Sequence, residues 1–192
     1  MDKHKLWQKS YHSAGSRHKN MWPSEGVISF ILNENLNQNA TVLDVGCGWL
    51  NNFRFCKSLG LNVYGVDIFI SDDFKKEFGT FLTEGSFLDI EYQRKFDIII
   101  DRCSFQHFYE HELENALNKA YNLLNINGCF YSEFTYSGLN GMENVIIERE
   151  QLVKMISNIF DEVEINDLIR TANNGETVFK TVITKCRKYA RL

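Results

Sequence analysis

Short apolar runs alternate along this chain with longer segments whose apolar residues recur at helical spacing. Val27-Ile28-Ser29-Phe30-Ile31-Leu32 fits a helix that Pro23, the chain's single proline, helps to start. Residues 33–40 read as a loop and 41–45 as a first buried strand. A helix over 50–59 ends at Gly60, and a second strand covers 62–66. An amphipathic helix over 71–78 is followed by strands at 80–83 and 96–100. Leu113, Leu117, Ala120, Tyr121 and Leu124 recur at helical spacing over 110–124. A fifth strand is expected over 128–134 and a helix over 151–159. Two closing strands, 162–168 and 177–185, are joined by the hairpin-like Thr171-Ala172-Asn173-Asn174-Gly175. Strands alternating with helices predict a doubly wound α/β fold. The expected sheet has seven mostly parallel strands with helices on both faces, and the closing hairpin makes the last strand antiparallel.

Composition narrows the class. A chain of 192 residues, 44% hydrophobic and 24% charged, suits one soluble domain spanning 1–192. Residues 1–21 are polar and read as an N-terminal arm. A net charge of −4 argues mildly against a nucleic-acid partner, and the basic cluster Lys185-Cys186-Arg187-Lys188-Tyr189-Ala190-Arg191 reads as a solvated tail. Cysteines 47, 56, 103, 129 and 186 form no Cys-x-x-Cys pair, so neither a disulfide framework nor a zinc site is indicated. Free thiols fit a reducing cytoplasm. No apolar run reaches the roughly 20 residues that span a bilayer, and the first residues lack a signal-peptide core.

The candidate chemistry begins at Val42-Leu43-Asp44-Val45-Gly46-Cys47-Gly48. A buried strand runs there into a glycine turn, where the backbone can turn sharply and approach a ligand closely. The next strand ends in Asp67, nineteen residues beyond Gly48. A doubly wound fold uses an acid at that distance to bind a ribose.

These residues resemble the class I S-adenosylmethionine-dependent methyltransferases. Asp44-Val45-Gly46-Cys47-Gly48 is similar to the family's nucleotide loop, and Asp67 to the acid that holds the cofactor ribose. Phe96-Asp97-Ile98-Ile99-Ile100-Asp101 resembles the fourth strand, and Leu123 to Phe130 the turn into the fifth. The chain departs from the pattern twice. Leu50 stands where the family often has a third glycine, and Ser86 where an aspartate often faces the adenine. The resemblance implies S-adenosylmethionine as cofactor. Its expected binding residues are Asp44, Gly46, Cys47, Gly48, Asp67, Ile68, Ser86, Phe87 and Asp101, with Tyr11 from the arm.

A small-molecule acceptor is expected, because so short a chain leaves little room for a substrate domain. The expected acceptor group is a hydroxyl on a sugar, a nucleotide-linked intermediate or another metabolite. His107 is the candidate general base, since imidazole titrates nearest neutral pH. Its alternative reading is a packing residue at a helix start. Asp101 is read either as a cofactor or substrate contact or as a strand-end cap. Arg17, Glu133 and Tyr136 are candidate substrate contacts, and residues 1–21 a lid. No metal, nucleic acid or membrane partner is expected, and the oligomeric state is open. A dehydrogenase fingerprint would want a glycine at position 51, which is Asn51. Methylation of a small amine, and cofactor binding without transfer, are the alternatives.

Overall fold

In the computed structural model, residues 5, 7–9, 22–137, 147–171 and 178–190 are described. The strands form one seven-stranded sheet in the order 3-2-1-4-5-7-6. The chain divides into two compact units, residues 1–91 and 92–192.

In the first unit, helix α1 (Glu25–Asn33) buries Val27, Phe30 and Ile31, the i, i+3, i+4 face that the sequence shows. Its start is tied to helix α2 (Asn51–Ser58), since the Ser24 amide donates to Asn52 Oδ1 at 3.0 Å. Strands β1 (Thr41–Val45) and β2 (Asn62–Asp67) pair in parallel, Val45 opposite Val66. Helix α3 (Asp72–Phe78) starts at Ser71, whose hydroxyl accepts from the Phe74 amide. A 3-10 turn over Gly79–Phe81 then leads into β3 (Leu82–Glu84), parallel to β2. That turn occupies part of the segment expected as strand.

In the second unit, β4 (Phe96–Arg102) pairs in parallel with β5 (Leu124–Ser137). Helix α4 (Glu110–Leu123) lies between them in the chain. Helix α5 (Arg149–Ile159) precedes β6 (Glu162–Thr171), and β7 (Val178–Arg187) runs antiparallel to both β5 and β6. Strand β5 is twice the expected span. It continues through Ser137 because β7 pairs with it as far as Lys180, across an irregular register after Thr135. Phe130 stacks on Phe160 at 5.4 Å and meets Phe105 at 5.5 Å, which seats the turn after β4 on an aromatic core. No helix among the described residues is long and apolar enough to cross a membrane.

Candidate cofactor and acceptor sites

The turn after β1 is shaped by backbone conformation. Gly46 and Gly48 have φ of 67° and 51°, in the left-handed region that favours glycine. The Gly46 and Cys47 amides both donate to the Val66 carbonyl, at 2.8 and 3.1 Å, so the turn folds back on the end of β2. Leu50, where a third glycine is often found, keeps the glycine-like backbone with φ 63°. Its side chain is fully buried. The left-handed conformation costs a leucine about 1–2 kcal/mol, and burying the side chain contributes about 1.5–3 kcal/mol. The leucine thus stands on the left-handed backbone that glycine favours.

Asp67 closes the turn from the other side. The Gly48 amide donates to Asp67 Oδ2 at 2.9 Å, and the Phe69 amide to Oδ1 at 3.1 Å. Burial pushes the Asp67 carboxyl up to about 6, against the lowering effect of the Phe69, Gly48 and Ile68 amides. Glu84, which the sequence did not single out, fastens the next segment. It accepts from the Ile70 amide at 2.7 Å and pairs with Lys75 at 3.1 Å. Cys47 is buried, and burial pushes its thiol well up, with the Asp67 and Asp44 charges adding to the shift. A Cβ at Gly65 would stand 2.9 Å from Cys47 Sγ and 2.8 Å from Leu82 Cδ2, so only glycine leaves room for this packing.

Asp44 is buried within β1, one residue before its end. Ile68 follows Asp67 and is half-buried. Phe87 is buried, and the Ser86 hydroxyl accepts from the Leu88 amide at 3.3 Å, a local turn. The first unit thus brings Gly46, Cys47, Gly48 and Asp67 into one closed loop.

The second unit holds His107, Asp101, Glu133 and Tyr136. His107 lies half-buried in a 3-10 turn, Phe105–His107, rather than in the first turn of a helix. Asp101 caps that turn. Its Oδ1 accepts from the Ser104 and Phe105 amides at 2.9 and 3.0 Å, and its Oδ2 from the Ser132 hydroxyl at 2.7 Å. Gln106 is buried, and its Oε1 accepts from the Thr135 amide at 2.9 Å. The Cys103 amide donates to the Glu133 carbonyl, and Cys103 itself has φ 59°. The turn carrying His107 is therefore fixed to β5 at three points. Glu133 is fully buried, accepts from the Tyr131 hydroxyl at 3.1 Å, and lies 3.6 Å from Arg102 Nε. Tyr136 is half-buried near the end of β5. Tyr11 and Arg17 lie outside the described residues. Among the described residues, no group of three or more metal-ligating side chains occurs.

Burial pushes Asp101 up to about 7, opposed by Ser132 and the two amides and aided by Glu133. The folded chain then holds a proton between roughly pH 4 and 7 that the unfolded chain, with an ordinary carboxyl, releases. This group's contribution to stability falls as pH rises through that window. Asp101→Asn retains the acceptor for both amides and can donate to the Ser132 oxygen. Urea unfolding at pH 8 should find Asp101→Asn at least as stable as wild type, and Asp101→Ala less stable by about 1–3 kcal/mol. An alanine variant of undiminished stability would rule out the capping role.

Residues 43–132 match the family model described as a methyltransferase domain. That segment of the chain is similar to a methyltransferase domain. Solved structures share this fold at low sequence identity. A 1,6-didemethyltoxoflavin N1-methyltransferase from Burkholderia thailandensis, with its namesake compound and S-adenosylhomocysteine bound, is 16% identical at a TM-score of 0.70. Its alignment covers 96% of this chain and 87% of that one. A Haemonchus contortus phosphoethanolamine N-methyltransferase 2 is 13% identical at a TM-score of 0.67 over 84% of this chain. This chain covers 52% of that one, about half its length. The [4+2]-cyclase SpnF has a TM-score of 0.65 at 13% identity, covering 88% of this chain and 86% of that one. No curated protein sequence matches the chain.

Proposed function

We propose that this methyltransferase moves the methyl group of S-adenosylmethionine to a hydroxyl of a small-molecule acceptor. The observation that carries the cofactor assignment is the Gly46–Gly48 turn closed onto Asp67 by the Gly48 amide. A carboxylate has about four lone-pair sites, and the Gly48, Phe69 and Ile68 amides face Asp67, which leaves capacity for a ribose hydroxyl. Gly46, Cys47 and Gly48 would line the close backbone approach. Asp44, Ile68, Ser86 and Phe87 would complete the cofactor contacts from the first unit. S-adenosylmethionine supplies a methyl on a sulfonium, already electrophilic, so the protein's task is alignment and proton handling.

His107 takes the hydroxyl proton in this reading, and its place on a turn fixed by Asp101 and Gln106 supports that role. Asp101 positions the turn. Residues 1–21, with Tyr11 and Arg17, would act as a lid within a single domain in the cytoplasm. Glu133 and Tyr136 would border the acceptor. The sugars, nucleotide-linked intermediates and similar metabolites expected from the sequence remain the acceptor classes. A nitrogen acceptor is the second reading, favoured by the names of two structurally similar proteins, both N-methyltransferases.

The test is untargeted. The protein is incubated with methyl-labelled S-adenosylmethionine and a small-molecule cell extract, and the labelled product is identified. A product labelled on oxygen is expected. Label on nitrogen would establish the second reading, and no transfer with intact cofactor binding would leave a binding protein.

A further inference from the structure

Arg102 ends β4, at the carboxyl edge where open α/β sheets bind ligands. Its pairing with Glu133 is open. Nε lies 3.6 Å from Glu133 Oε2, beyond hydrogen-bond distance, and is buried without an acceptor. Among the described residues the guanidinium makes no hydrogen bond. Two other arginine pairs among the described residues are different. Arg149 meets Asp167 with two bonds of 2.7 Å, and Arg54 meets Glu77 at 2.8 Å, both at exposed sites. A structural ion pair beside a fully buried carboxylate would be expected to close at least as tightly. Glu133 instead takes the Tyr131 hydroxyl.

The side chain is 35% exposed, so solvent and ligands reach it. Cys103, directly after it, leaves the extended conformation with φ 59°. An arginine presents a planar fork that matches a carboxylate or a phosphate with two parallel bonds. With Nε toward Glu133, the two terminal nitrogens remain for such a group. We propose that Arg102 anchors the acceptor through an oxyanion, a carboxylate or phosphate that the acceptor carries away from the methylated atom. This rests on the methyltransferase reading above and narrows its acceptor to an anion.

The experiment uses the full chain, with and without S-adenosylhomocysteine, titrated by calorimetry with benzoate, phenyl phosphate and neutral benzyl alcohol. At least one anion should bind in the millimolar range, and benzyl alcohol should not. Arg102→Gln should weaken that anion at least tenfold, Arg102→Lys by less, and Arg149→Gln not at all. The Arg102 side-chain nitrogen resonance of the wild type should shift on anion addition, a readout that needs no variant. Whether phosphate or carboxylate binds more tightly distinguishes the two oxyanions. Equal anion affinity in wild type and Arg102→Gln, or no anion binding by wild type with no resonance shift, overturns the proposal. Titration of S-adenosylhomocysteine on the same samples is independent. Its failure would remove the methyltransferase reading while leaving the arginine result standing.

Discussion

Asp67→Ala is expected to weaken binding of S-adenosylhomocysteine at least about tenfold. The carboxylate is the group placed to accept from the ribose, and a lost hydrogen bond to a charged partner costs about 1.5–3 kcal/mol. The substitution also removes the acceptor for the Gly48 and Phe69 amides, so the glycine turn loses its closure on β2. The effect should depend on pH. Asp67 titrates at about 6 because burial disfavours its charge. Hydroxyl donors favour the carboxylate form, so affinity should fall as pH is lowered through 6. Asp67→Ala should lack that dependence. Wild-type affinity that is level between pH 5 and 8, matched by the alanine variant, would sink the ribose role.

His107→Gln carries the second large expected effect. If the acceptor is a hydroxyl, its proton must leave as oxygen attacks carbon. A neutral imidazole that takes it contributes about 10²–10⁴ in rate. Glutamine keeps size and hydrogen bonding but cannot serve as that base. The turn carrying it stays fixed by Asp101 and Gln106, so cofactor affinity should hold near wild type. The expected result is a kcat at least tenfold lower and an acidic limb of the pH–rate profile that weakens or vanishes. A variant with full kcat and an unaltered profile would make His107 a packing residue.

The contrast between the two units shows what the sequence reveals. The glycine turn and Asp67 were legible because they depend on backbone conformations and on a fixed spacing along one β-α-β segment. Leu50 was legible only as a missing glycine. That it adopts φ 63° with a buried side chain is a tertiary outcome, decided by the core beneath it. The cap on the His107 turn was named only as one reading of Asp101. Its decisive partner, Ser132, lies 31 residues away in sequence. Gln106 was missed altogether, since its bond to Thr135 spans 29 residues and no motif marks it. Strand β5 was read short at its far end for the same reason, because its last residues are held by pairing with β7. Arg102 carried no signal in sequence. Its interest lies in the open 3.6 Å geometry to Glu133.

The cofactor assignment underlies the roles of Asp67 and His107, and one titration tests it most directly. Wild-type protein is titrated by calorimetry with S-adenosylhomocysteine and, separately, with NAD, the ligand of the other common fold built on the same first β-α-β unit. The expected result is one saturable S-adenosylhomocysteine site per chain and no NAD binding. Saturable binding of NAD with none of S-adenosylhomocysteine would contradict the account.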